Sequence, residues 1–237
     1  GIFSKLDLRN NKTNEFENII PVPVINAESK SFKDSLIVSI KAIEKGTIFK
    51  DTDTNMFIAL RKETADKIII NKTTTITSKT YAFNGVEYSY SKPVSATFFK
   101  KPNNYSINIK SVYNPQYHAG GPEGLLDGIL GTENWRKGDW QGYQSQDFEA
   151  VVDLKEVKNI NEISARFLQD QRSWILMPTK VEYYVSEDNV NFTYFGSVNN
   201  TLDPKLEENT ILNFTSNETK GKKARYVKVI AKNFGKL

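Results

Sequence analysis

The sequence predicts an all-β protein made of two β-sandwiches in tandem. Three observations carry this. Short apolar runs recur with period two, turn residues separate them, and neither a long amphipathic helix nor a strand-then-helix alternation interrupts them. The chain has 237 residues, enough to bury two modest cores or one large one.

The elements follow in order. Residues 1–18 are polar, charged and without periodicity, and read as a linker or the tail of a preceding domain. Pro21-Val-Pro-Val-Ile25 opens an extended edge segment, because proline cannot donate to a ladder. Strand-like runs follow at 36–40, 47–49, 67–70, 73–78 and 94–99, with turns at Lys45-Gly46 and at 51–55. Asn84-Gly85, between runs at 80–83 and 86–90, predicts a two-residue type I′ hairpin, since both central residues of that turn need positive φ. This pattern predicts an immunoglobulin-like sandwich over 19–100. Lys100-Lys-Pro-Asn-Asn104 marks the boundary. In 104–237, strands are expected at 148–154, 160–168, 180–186, 192–196 and 224–231, with 187–191 as a hairpin loop. In the first of these, Phe148, Ala150, Val152 and Leu154 share one face and Glu149 and Asp153 the other, with Val151 the exception.

Composition excludes several functions. With no cysteine there is no disulfide, thiolate metal site or Cys nucleophile, and a single histidine, His118, argues against a His-based metal site or triad. No apolar run approaches the roughly 20 residues that span a bilayer. The start, Gly1-Ile-Phe-Ser-Lys5, lacks a signal-peptide pattern, as expected of a processed chain or an excised fragment. Residues 1–103 carry 16 basic and 11 acidic side chains, residues 104–237 carry 16 and 17, and all three tryptophans lie in the near-neutral second part. A nucleic-acid binder stacks its aromatics beside its basic residues, so nucleic acid is not the expected partner. Asn-x-Ser/Thr triplets such as Asn71-Lys-Thr73 reflect an Asn-, Lys- and Thr-rich composition rather than glycosylation.

The most telling stretch is Asp127-Gly-Ile-Leu-Gly-Thr-Glu-Asn-Trp135, followed by Trp140-Gln-Gly-Tyr143 and Phe148-Glu-Ala-Val-Val-Asp-Leu154. It resembles an F5/8 type C (discoidin-like) domain, where Asp-Gly precedes Thr-x-x-Trp and a Val-Asp-Leu strand follows. Val181-Glu-Tyr-Tyr-Val-Ser-Glu-Asp-Asn-Val-Asn-Phe192 resembles that family's hairpin, with Asn189 where Gly is usual, and Arg225-Tyr-Val-Lys-Val229 resembles its penultimate strand. With Phe167-Leu-Gln-Asp-Gln-Arg-Ser-Trp-Ile175 and Met177-Pro178, the variant is similar to the C-terminal discoidin domain of bacterial (Bacteroidetes-like) glycoside hydrolase family 20 β-N-acetylhexosaminidases, or chitobiases. Phe32-Lys-Asp-Ser-Leu-Ile-Val38 and Ile68-Ile-Ile-Asn-Lys-Thr-Thr-Thr-Ile76 resemble the sandwich that precedes it there. The usual Tyr-Thr-x-Asp-Gly-Ser-x-Pro is replaced by Phe49-Lys-Asp-Thr-Asp-Thr-Asn55, and the usual closing strand with Trp and an acidic pair is not matched at 233–237.

The resemblance implies an immunoglobulin-like sandwich followed by a galactose-binding-like jelly roll. It implies a non-catalytic accessory region of a β-N-acetylhexosaminidase, extracytoplasmic in its parent protein, periplasmic or at the cell surface. It would pack against the catalytic domain and hold glycans, N-acetylated amino sugars or galactose-like. The alternatives are a purely structural brace or a protein-adhesion module. That enzyme family uses an adjacent Asp-Glu pair in a barrel, and the chain contains neither the barrel nor that dipeptide. The resemblance also implies a Ca²⁺ on the loop carrying Asp127 and Thr132, which otherwise serve as turn caps. Trp140, Tyr143, Arg172, Trp174 and His118 are the candidate sugar contacts. Indole and phenol rings stack on the C–H face of a pyranose while Arg and Gln satisfy hydroxyls, although aromatics equally fill sandwich cores. Trp135, directly after the turn, reads as a core plug.

Overall fold

The computed structural model describes residues 20–42, 47–51, 57–60, 66–83 and 85–235. The proposed linker at 1–18, the Lys45-Gly46 turn, Asn84 and most of the turn at 51–55 lie outside the described residues. The structure is all-β, with fourteen strands among the described residues. The chain divides into two compact units, 1–29 with 35–98, and 30–34 with 99–237.

The first unit has two sheets. β1 (Val24–Ala27), β3 (Leu36–Lys41) and β6 (Asp66–Ile70) form an antiparallel three-stranded sheet. Leu36, Val38 and Ile40 alternate buried against exposed Ile37 and Lys41, as a strand with one wet face requires. In the other sheet, β7 (Thr74–Phe83) pairs with β4 (Thr47–Asp51), which pairs with β5 (Phe57–Leu60). On its other edge β7 pairs with β9 (Val94–Lys100). The runs expected at 73–78 and 80–83 are thus one strand. The two-residue hairpin is corrected. β8 (Tyr88–Tyr90) pairs Phe83 with Tyr88, leaving four residues in the connection. That register sets Tyr88 beside both Phe83 (4.8 Å) and Tyr81 (5.7 Å), a cross-strand aromatic contact that a two-residue loop would have given to Val86 instead.

The second unit holds an antiparallel five-stranded sheet in the order β10 (Ser106–Ile109), β11 (Phe148–Gln169), β14 (Thr210–Lys232), β12 (Lys180–Ser186), β13 (Thr193–Asn199). The last two residues of β9 pair in parallel with β2 (Ser31–Phe32) in this unit. The strands expected at 148–154 and 160–168 join into β11, with register shifts against β14 between Asp153 and Lys158 and between Ile160 and Glu162. The shifts bend the strand without ending it. β12 carries the expected 180–186 run residue for residue. β10 and the polar first half of β14 were not anticipated.

The core of this unit gathers Leu154, Ile160, Met177, Val181, Tyr183, Val185, Phe195, Phe214, Ala224, Val227 and Ala231, with Phe148, Val152 and Val229 packed on it. One face of β11, β12 and β14 therefore carries the core, and the alternate residues form the other face. Tyr183 is wholly buried, and its hydroxyl donates to the Phe214 carbonyl. Burial pushes that phenol well above its ordinary value. At the first register shift, Asp153 accepts from Arg225 through both oxygens (2.8 and 3.0 Å) and from Lys155. The guanidinium holds its carboxyl well below the ordinary 3.8. Among the described residues, no helix is long and apolar enough to cross a membrane.

Two predictions follow from this packing. Tyr183→Phe removes a buried hydrogen bond and should cost about 0.5–1.5 kcal/mol, and Tyr183→Ala about 3–5 kcal/mol through the cavity it leaves. Urea unfolding of the second unit measures both, and an unchanged midpoint for Tyr183→Phe would sink the first. Because the Asp153 carboxyl is depressed in the folded state, its stabilisation is complete above the unfolded value near 3.9 and is lost as pH falls toward the folded one. Asp147 and Glu182 are depressed in the same direction by Lys232 and Lys180. Asp153→Asn should flatten the acid limb of the stability–pH curve below about pH 5 without removing it, and an unaltered limb would refute this.

Candidate functional site

Three loops gather at one end of the second unit: 132–140, 170–175 and 203–209. Asp170 organises them. It is buried at the end of β11 and closes a short loop with Ile175 through reciprocal backbone bonds of 2.9 and 3.0 Å. Its carboxylate accepts from Ser173 N and Oγ and, across 35 residues of sequence, from Trp135 Nε1 at 3.0 Å. Gln169 beside it is fully buried and donates to the Asp203 carbonyl at 2.8 Å. Asn209 reaches the Glu133 carbonyl at 3.4 Å.

The turn Gln171–Ser173 ends on Trp174, whose φ of 59° is left-handed. That conformation throws the indole outward, and Trp174 is 75% exposed. Arg172, on the same turn, forms an ion pair with Glu207 at 2.8 Å. Both partners are 70% exposed, so the pair contributes little to stability, and the guanidinium can exchange partners.

Trp135 starts a turn capped by Asn134, whose side chain accepts from Arg136 N. The indole is half-buried, with Tyr117 edge-on at 5.6 Å and the Arg136 guanidinium over it at 4.3 Å. The expected core plug is therefore a wall joining the His118 segment to the Trp174 turn. His118 is exposed. Its Nδ1 accepts from Gly120 N at 3.2 Å, which leaves the neutral ring's proton on Nε2.

Trp140 and Tyr143 have their polar atoms engaged by the loops themselves. Trp140 Nε1 donates to the Thr132 carbonyl at 2.7 Å, and a Cβ on Gly131 would fall inside its indole. The pair explains why the loop needs glycine there. Tyr143 donates to Gln141 Oε1 at 2.7 Å and packs edge-on against Phe148. Gln141 Nε2 in turn donates to the Gly121 and His118 carbonyls. Burial pushes the Tyr143 phenol well above its ordinary value. The polar atoms of these two aromatics tie the loops together from within.

Asp127 is buried. One oxygen accepts from Ile129 N at 2.8 Å, and the other lies 3.8 Å from where a Cβ on Gly120 would stand. Desolvation raises its carboxyl above the ordinary value. A buried carboxylate with this single backbone donor suits a cation, which would offset the desolvation. Thr132 is exposed, and its carbonyl is the acceptor of Trp140. Among the described residues no group of three or more His, Cys, Asp or Glu side chains is placed to hold a metal, so any cation here would depend on backbone carbonyls.

Of the sequence candidates, the structure groups Arg172 and Trp174 on one turn, linked through Asp170, Trp135 and Tyr117 to the segment bearing His118. Sequence reading missed Trp135, Arg136 and Glu207 as its neighbours. The only local signal was Asn134 and Asp170, each a short acceptor positioned to cap the turn that follows.

No curated protein matches the chain. Among solved structures it is similar to the C-terminal domain of a chitobiase from Bacteroides fragilis, at 19% identity and a TM-score of 0.36, covering 55% of this chain and 82% of that one. It is similar to a CBM32 module from Clostridium perfringens in complex with GalNAc-β-1,3-galactose, at 22% identity and 0.33, covering 54% and 84%. It is also similar to allantoicase from Saccharomyces cerevisiae, at 10% identity and 0.36, covering 85% and 74%. Residues 106–236, more than half of the chain, match the F5/8 type C domain, and the chain belongs to that family.

Proposed function

We propose that the second unit is a glycan-binding module, and that the chain is a non-catalytic accessory region of a secreted β-N-acetylhexosaminidase or related glycosidase. The observation that carries this is Trp174, an indole held three-quarters exposed by a closed turn, beside an arginine engaged only in a surface ion pair. A stacked pyranose would lie on Trp174, with Arg172 and the His118 side taking its hydroxyls. Family membership supports the reading, since F5/8 type C domains mostly bind sugars or surfaces. The first unit we read as the immunoglobulin-like sandwich of the chitobiase type, a brace beside the catalytic domain. A tethered second site would raise the local concentration of substrate at that domain.

One stacked ring with a few hydrogen bonds gives a Kd on the order of millimolar to tens of micromolar. Titration with N-acetylglucosamine, N-acetylgalactosamine and galactose, followed by chemical-shift perturbation, should move residues 170–175 and 117–136. Trp174→Ala should weaken binding about tenfold or more, and Trp140→Ala should act mainly on stability. Binding indifferent to Trp174, or no binding at all, would leave the brace reading in its place.

We also propose that Asp127 and loop carbonyls hold Ca²⁺, with the Thr132 hydroxyl as a further oxygen ligand. The ion would staple the loop and neutralise a carboxylate whose burial is otherwise unfavourable. Asn at position 127 can keep the bond from Ile129 N without the charge. In chelator, Asp127→Asn should therefore melt no lower than the native chain. With calcium at a hundredfold excess over its Kd, the native chain should gain about 2.7 kcal/mol and the variant nothing. Coincident melting curves with and without calcium would remove the ion from this loop.

A further inference from the structure

A second site lies on the other face of the five-stranded sheet, away from the loops just described. Register fixes its floor. Asn108 pairs with Val151, Val151 with Lys228, and Lys228 with Tyr184, so the four side chains form one row across β10, β11, β14 and β12. Ser106, Asp153, Tyr226 and Ser186 form the next row. These positions alternate with the core-facing Val152, Val185, Val227 and Val229 and so point away from it. Val151, which broke the polar pattern of its strand, is an apolar residue on this face.

The wall is the hairpin between β12 and β13, and it is preformed. Asp188 accepts from Val190 N, Asn191 N, Asn191 Nδ2 and Ser186 Oγ, within 2.7–2.9 Å. Asn189 takes the left-handed conformation at φ 63°, where glycine is usual. This locked tip sets Val190, 77% exposed, and Phe192 beside the floor. Together they enclose a groove of about 510 Å³ lined by Asn108, Val151, Tyr226, Lys228, Val190 and Phe192. That is within the usual size range of small-ligand sites.

Its charge is one-sided. Asp153 is consumed by Arg225 and Lys155, Asp188 by the hairpin's own donors, and Lys110 at the far end is paired with Glu149. Lys228 pairs with no carboxylate among the described residues. Its ammonium lies 3.8 Å from the centre of the Phe192 ring, a cation–π contact that holds it in place.

From this geometry we infer that the groove binds an acidic saccharide, a uronic-acid unit whose carboxylate meets Lys228 while its ring lies on Val151 and Tyr226. Among the described residues the groove offers one ammonium unpaired with a carboxylate, Lys228, which suits a carboxylate monoanion rather than a phosphate dianion. A floor of apolar groups interleaved with Asn108 suits a ring with one C–H face and rim hydroxyls.

The test uses sugar pairs that differ only at C6. Galacturonate and glucuronate should shift the amides of Val151, Val190, Phe192, Tyr226 and Lys228, while galactose and glucose at the same concentration should not. Lys228→Gln should weaken uronate binding about tenfold, Lys228→Arg should retain most of it, and added salt should weaken it. Trp174→Ala should leave it unchanged, which separates this site from the loop-end site. The inference is overturned if acidic and neutral sugars perturb the groove equally or not at all, if uronate shifts map to 170–175 instead, or if Lys228→Gln binds as the native chain does.

Discussion

Two antiparallel strands, β11 of 22 residues and β14 of 23, carry the second unit by pairing with each other along most of their length. Strand periodicity then dictates the rest. One set of alternate residues fills the core and the other set forms the opposite face, so a slip of one residue would exchange them. The register is pinned where it shifts. Arg225 and Lys155 converge on Asp153 at the first shift, Lys155 in the left-handed region. On the opposing strand Gly221 has φ 68°, and a Cβ there would meet Asn161 Oδ1 at 2.6 Å. The ion pair and the glycine together let a long ladder bend without losing its pairing.

Both candidate sites inherit their rigidity from this ladder by different routes. The loop-end site begins where β11 stops, with buried Gln169 closing the strand and buried Asp170 just after it, each bonded to another loop. The groove lies on the ladder's own outer face and borrows one wall from the β12–β13 hairpin. Loops alone order such side chains poorly, and here each loop is fastened to a strand by a buried or multiply bonded polar residue.

Strands that alternate cleanly were legible in the sequence. Residues 180–186 read as a strand because Val181, Tyr183 and Val185 alternate with Glu182 and Tyr184, and the structure agrees. β10 was not legible, because Ser-Ile-Asn-Ile is too short to show a period, and neither was the start of β14, where Asn213, Thr215 and Ser216 dilute the apolar pattern. The two-residue turn at Asn84-Gly85 failed because turn chemistry was weighed without the cross-strand aromatics that select the register. At the site, the sequence offered the right residue types but not their grouping. The bond from Trp135 to Asp170 spans 35 residues, and no local spacing encodes it. Nor could spacing tell that Trp140 faces the Thr132 carbonyl while Trp174 faces solvent.

The conformation of Trp174 is the least economical feature of the second unit. A bulky aromatic residue in the left-handed region is strained by roughly 1–2 kcal/mol, and leaving an indole three-quarters exposed forgoes most of the stabilisation its burial would bring. Such a state persists only where its surroundings over-determine it. Here they do. Reciprocal bonds between Asp170 and Ile175 close the turn, the Asp170 carboxylate holds Ser173 twice, and Trp135 fixes that carboxylate from the neighbouring loop. Relaxing Trp174 would mean opening a turn anchored to a buried acid at the end of the longest ladder in the unit. A fold selected for stability alone would place a glycine or asparagine at the end of this turn. The strain and the exposure converge on one side chain, and the stacked sugar proposed above would account for both.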